Sequence, residues 1–111
     1  MKKYCLALDL VDDQVLIEEY VKWHRAVWEE IESSIKLAGI LNLEIYRYAN
    51  RLFMIVISED DFSFDKKARM DALNPRVQEW EQLMWKYQKA LPGTKPGEKW
   101  MLMENIFSLS K

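Results

Sequence analysis

His24 is the only histidine in the sequence, and it stands four residues after Tyr20 and four before Trp28. Imidazole, with an ordinary pKa of about 6.5, gains or loses a proton near neutrality without special tuning. A four-residue spacing puts side chains on one face of an α-helix, which predicts a ladder of phenol, imidazole and indole suited to a sugar or small polyol. The same spacing also describes a core histidine satisfied by one hydrogen bond. Trp23 and Trp80 can extend the aromatic wall or serve as plain core. The chemistry that these residues offer is proton transfer by His24, helped by a hydroxyl or carboxylate.

Other chemistries have less to work with. Metal sites need several His, Cys, Asp or Glu ligands, and one His and one Cys leave only carboxylates. Asp60-Asp61 and Glu29-Glu30 read as solvated charge, so no metal is expected. Three scattered glycines cannot build a phosphate-binding loop, and no serine has the flanking glycines of a nucleophile elbow. No cofactor is expected.

Composition sets the frame around these residues. A chain of 111 residues supports one domain, residues 1–111, with a real core. Half the residues are hydrophobic and five are Trp, which excludes disordered and linker-like classes. Sixteen basic against eighteen acidic residues, with no basic stripe, argue against nucleic acid as a partner. No run approaches the roughly 18 apolar residues that span a membrane. Asp9 interrupts the apolar run after Met1-Lys2-Lys3, so a signal peptide is not expected and a cytoplasmic location is. Cys5 lies in an apolar run with no His or Lys beside it, as an inert core thiol would.

The elements that must position His24 follow from periodicity. Residues 3–10 read as a strand, and Asp12-Asp13 can cap the helix after it. Leu16, Tyr20, His24, Val27, Ile31 and Ile35 predict one long amphipathic helix from Gln14 to about Leu37, closed by Gly39 in a left-handed cap. Ile40–Tyr48 and Arg51–Ser58 read as a hairpin turning at Ala49-Asn50, with Asn50 supplying positive φ. Asp61–Met70 suggests a short helix. Asn74-Pro75 starts another, marked by Val77, Trp80, Met84, Tyr87 and Leu91 and ending before Pro92-Gly93. Trp100–Leu109 reads as the last strand.

The order strand, helix, strand, strand, helix, strand is the ferredoxin-like βαββαβ pattern of α+β proteins, a four-stranded antiparallel sheet with helices on one face. Leu52-Phe53-Met54-Ile55-Val56-Ile57 is apolar at every position, whereas a sheet with one wet face alternates. A second copy of the chain is the simplest cover for the far face, giving a homodimer packed sheet to sheet, a dimeric α/β barrel.

The sequence resembles the L-rhamnose mutarotases and their fucose-handling relatives. The resemblance runs through Tyr20-Val21-Lys22-Trp23-His24, Val27-Trp28-Glu29-Glu30, Gly39 with Asn42-Leu43-Glu44-Ile45-Tyr46, Val77-Gln78-Glu79-Trp80 and Glu104-Asn105-Ile106-Phe107-Ser108-Leu109. It implies a dimeric ferredoxin-like fold and exchange of the anomers of a deoxyhexose such as L-rhamnose or L-fucose, with a monosaccharide as partner and no cofactor. By position His24 matches the family's catalytic acid, Tyr20 a tyrosine that contacts the sugar, and Trp80 the first of two adjacent tryptophans near the ligand. The second tryptophan is Glu81 here, a pocket tyrosine expected after Asn42 is Leu43, and prolines that often flank the Trp28 motif are absent. Such exchanges alter both stacking area and hydrogen bonding in the pocket.

The expected mechanism has His24 donating a proton to the ring oxygen and recovering it on closure. Tyr20 hydrogen-bonds the sugar and Trp80 presents an apolar face, with Trp28 and Tyr46 as further contacts. Glu30, Tyr46 and water remain alternatives for the base at the anomeric hydroxyl. Two other readings share the fold: a cofactor-free monooxygenase or lactone isomerase, and a non-catalytic binding module.

Overall fold

The computed structural model describes residues 1–110. The sheet is built on β1 (Lys2–Leu10), which pairs antiparallel with β3 (Arg51–Ser58), itself paired antiparallel with β2 (Ile40–Tyr48). Along the other edge of β1 lie two short strands. β4 (Gln88–Lys89) faces Leu10 and Asp9, and β5 (Met101–Leu102) faces Ala7 and Leu6. The fourth strand position of the ferredoxin-like pattern is therefore shared by two segments. The expected strand over Trp100–Leu109 survives only as β5, extended by a bond from the Met103 amide to the Cys5 carbonyl at 2.7 Å. Glu104 and Asn105 are poor strand formers, and the Asn105 amide instead donates to the Ser108 hydroxyl at 3.2 Å, a local bond that competes with the ladder.

The hairpin strands have the expected bounds, but the positive φ belongs to Ala49 (φ 52), not Asn50. Asn50 instead fastens the turn to the end of β1. Its side-chain amide donates to the Leu10 carbonyl at 3.2 Å, and its own carbonyl accepts from the Leu10 amide at 2.7 Å.

The long helix expected from Gln14 to Leu37 is two helices, α1 (Gln14–Trp23) and α2 (Glu29–Leu37). Asp13 caps α1 by accepting from the Leu16 amide, as its position predicts. The break contains neither Pro nor Gly. Around an unbroken helix, residues 23 and 28 would point about 140° apart. Here both indoles meet Trp80 edge-on, at ring-centre distances of 6.4 and 5.1 Å, and pack against each other at 6.5 Å. Packing three tryptophans together overrides the local periodicity. Glu29, Glu30 and Glu32 in the first turn of α2 favour a helix start there, since acidic groups are stabilised at the positive end of the helix dipole. Gly39 follows α2 at φ +97, the left-handed conformation expected of it.

α3 (Phe64–Ala72) begins at Ser63, whose hydroxyl accepts from the Lys66 amide. α4 (Pro75–Trp85) begins where Asn74-Pro75 predicts, with the Asn74 side chain accepting from the amides of Arg76 and Val77. It ends six residues short of Leu91, because the chain turns at Lys86-Tyr87 to lay Gln88 beside Leu10. All four helices contribute residues to the core on one face of the sheet, where Leu8 and Leu10 are wholly buried and Leu52 and Val56 nearly so. The opposite face presents Cys5, Ala7, Phe53, Ile55 and Ile57 in alternation with those core positions.

Truncating the central β1 side chain tests this packing. Leu8→Ala removes a fully enclosed isobutyl group from the middle of the sheet, and we expect a loss of about 2–5 kcal/mol in urea unfolding. A loss below 1 kcal/mol would show that the β1 centre is not the core.

Candidate functional site

His24 closes the last turn of α1. Its backbone amide bonds to the Val21 carbonyl in a tightened turn, and its ring lies 4.4 Å from the Tyr20 ring at 37°. The imidazole Nδ1 is 2.8 Å from the Tyr20 carbonyl oxygen. A carbonyl only accepts, so Nδ1 carries the hydrogen and the neutral ring keeps its lone pair on Nε2. The half-buried setting lowers the imidazole pKa below its ordinary value because desolvation disfavours the cation, while the bond to the Tyr20 carbonyl works in the opposite direction. The Tyr20 carbonyl thus fixes the tautomer of the neutral ring, and burial favours that neutral form.

The aromatic company expected for His24 is present, but it does not form a single-helix ladder. Tyr20 stacks on His24 from within α1, and Trp80 approaches it edge-on from α4 at 5.6 Å. Trp28 reaches the group from the start of α2, behind Trp80, with the Arg76 guanidinium 4.1 Å from its ring centre. Tyr20 is buried and its phenol pKa is pushed up to about 12, chiefly by that burial, so it stays protonated and serves only as a neutral hydrogen-bonding group.

Two cavities open on this cluster. One, of about 380 Å³, is lined by His24 and Val27 with Asn42, Leu43 and Ile45 of β2. The other, of about 250 Å³, runs between the helices and the sheet and is lined by Trp80, Glu81, Leu43, Gln88, Lys99 and Trp100 among others. Ile35, Ile40 and Leu43 line both. Leu43 and Glu81, the two departures in the sequence, therefore lie on the cavity wall. Lys99 donates to the Glu81 backbone carbonyl at 3.2 Å and stands 4.7 Å from the Trp85 ring centre, its ammonium pKa lowered by burial.

Tyr20 and Trp28 pack beside His24 and Trp80 but line neither cavity, and Tyr46 and Glu30 are placed elsewhere. Tyr46 pairs with Phe53, and strand alternation puts it on the sheet face opposite Leu43 and Ile45, half exposed. Glu30 accepts from Arg76 Nε at 2.6 Å on the protein surface, and the Arg76 bond holds its carboxyl below the usual range. Neither lines the two cavities. Gln88, Lys99 and Trp100 line the site without having been singled out from the sequence. Gln88 had a readable signal, being a polar residue four positions after Met84 on an apolar stripe. Among the described residues no group of three or more His, Cys, Asp or Glu is placed to hold a metal ion.

The fold and the site define a ferredoxin-like α+β protein with a single imidazole on one cavity and Trp80, packed against that imidazole, on the adjoining one. The chain belongs to the L-rhamnose mutarotase family, whose model matches residues 3–109. It is 49% identical to an L-fucose mutarotase of Xanthomonas campestris pv. campestris, across all of this chain and 90% of that one. In structure it resembles an L-rhamnose mutarotase of Formosa agariphila, with a TM-score of 0.72 at 20% identity, covering 98% of this chain and 99% of that one. A dimeric ferredoxin-like protein from an uncultured marine organism superposes with a TM-score of 0.54 at 15% identity, covering 97% and 91%. These structural likenesses are likenesses of fold.

The state of His24 is directly measurable. In a ¹⁵N-resolved NMR titration we expect the Nδ1-protonated tautomer and a midpoint below 6.5. Between that midpoint and 6.5 the unfolded chain binds more protons than the folded one, so this group lowers stability as pH falls through the window and costs nothing above it. A midpoint at or above 6.5 would mean that burial does not govern the ring.

Proposed function

We propose that this chain is a mutarotase that interconverts the α and β anomers of a deoxyhexose, L-fucose in the first instance. The observation that carries the reading is the Nδ1 bond from His24 to the Tyr20 carbonyl, which reserves Nε2 of a neutral imidazole for a ligand. Family membership and the full-length identity to an L-fucose mutarotase support the same conclusion.

Opening a pyranose moves one proton from the anomeric hydroxyl to the ring oxygen, while the bond from C1 to the ring oxygen breaks and C1 becomes a carbonyl. Both oxygens are attached to C1, so one proton carrier can serve both. Neutral His24 accepts at Nε2 from the anomeric hydroxyl, and the imidazolium so formed donates to the ring oxygen. Burial disfavours the imidazolium, so the proton is readily released. Rotation about C1–C2 followed by the reverse transfers gives the other anomer, and His24 ends as it began. The donor role expected for His24 is kept, preceded by a step in which it is the base. Trp80 supplies an apolar face for the ring and Tyr20 a neutral phenol, with Trp28 fixing Trp80 from behind.

The enzyme works as a homodimer in this reading. Phe53, Ile55, Ile57, Cys5 and Ala7 form an apolar sheet face that no helix of the same chain covers, flanked by Tyr46 and Met103. A cytoplasmic location accompanies it, consistent with the unpaired Cys5.

Saturation-transfer NMR on L-fucose measures the activity. We expect wild-type protein to accelerate exchange between the anomer signals and His24→Ala to lose a factor of about 10²–10⁴ while folding normally. Unchanged exchange in the folded variant would contradict the role of His24. Sedimentation at micromolar concentration should give twice the chain mass, and a monomer would contradict sheet-to-sheet pairing.

A further inference from the structure

Gln88 is the first residue of β4 and its side chain is buried, 7% exposed, between the sheet and the helices. Its amide makes one contact, Nε2 donating to the Tyr20 hydroxyl at a long 3.4 Å. Its Oε1 is fully buried and has no hydrogen-bond partner, the only such side-chain atom among the described residues. Turning the amide over would only exchange the unpartnered oxygen for an unpartnered NH₂ group. A buried polar atom left unpaired costs about 1–3 kcal/mol, a penalty that Met or Leu at this position would avoid. The same side chain lines the 250 Å³ cavity, whose wall is otherwise largely apolar through Leu43, Met84, Trp80 and Trp100. Ser34, Lys67, Glu81 and Lys99 also reach that wall, but Gln88 alone brings to it a buried polar atom without a partner among the described residues.

We propose that Gln88 is a specificity-determining residue, its buried amide pairing with one hydroxyl of the sugar away from the anomeric centre. The proposal rests on the mutarotase reading. A sugar hydroxyl donates to Oε1 and completes the amide, while Tyr20 links that contact to the helix turn that also holds His24. Selectivity then comes from the asymmetry of hydrogen bonding in a dry site: a sugar that lacks the hydroxyl leaves the amide unpaired again.

The test compares L-fucose with its 2-, 3- and 4-deoxy analogues by anomer-exchange kinetics, using wild-type protein and Gln88→Met. We expect wild type to disfavour one analogue by about tenfold to a hundredfold in kcat/KM, the span of one buried group left unpaired. Gln88→Met should treat that analogue and L-fucose alike, through a raised KM for L-fucose with kcat little changed. Unaltered discrimination in the variant, as expected if Gln88 merely holds a structural water, would overturn the proposal. Should the variant fail to fold, the side-chain amide resonances of Gln88 in wild type decide: they shift on titration with L-fucose, and unmoved resonances overturn it. Wild type that exchanges no aldose would remove the mutarotase reading and this one with it, whereas exchange with unaltered discrimination removes only the role of Gln88.

Discussion

The bond from His24 Nδ1 to the Tyr20 carbonyl, 2.8 Å long, is the interaction on which the site depends. It exists because α1 stops at Trp23. Within a continuing helix the Tyr20 carbonyl would be taken by the backbone amide of residue 24, whereas here that amide turns back to Val21 and leaves the carbonyl for the side chain. One end of the imidazole is thereby fixed, and the tautomer with it. The catalytic possibility of this chain is a property of a helix terminus.

The termination is itself enforced from a distance. Trp23, Trp28 and Trp80 meet edge to face, and the indole of Trp23 also donates to the Tyr87 hydroxyl at 3.0 Å, which in turn donates to Glu19. These contacts tie α1, the start of α2, α4 and the approach to β4 into one unit. Edge-to-face aromatic pairs are worth about 0.5–1.5 kcal/mol each beyond the area they bury, and three such pairs join these tryptophans across the break. Trp80 also lines the smaller cavity, so one member of the cluster that breaks the helix shapes the place where a ligand would lie.

The sequence was most readable where structure is local. The hairpin bounds, the caps at Asp13 and Asn74 and the left-handed Gly39 all follow from short-range chemistry. The break after Trp23 was not readable, since the apolar spacing of four and three runs through it in register and no breaker residue marks it. The division of the fourth strand position between Gln88–Lys89 and Met101–Leu102 depends on which segments reach β1, a tertiary outcome. In the site, His24, Tyr20 and Trp80 were found by residue type and spacing and are brought together. Tyr46 lies away from both cavities because its strand face is decided by the register of β2 on β3, and the place of Gln88 is hidden in the sequence because helix α4 ends earlier than its apolar stripe.

In the proposed cycle His24 starts as a neutral base, and the pH dependence of enzyme-catalysed anomer exchange, corrected for the uncatalysed rate, reads that state. The rate should be level through neutrality and fall on acidification with a midpoint below 6.5, as the buried imidazole gains its proton. A rate that rises as pH falls from 7 to 5.5 would mean that the imidazolium is the starting form and that His24 does not begin as the base.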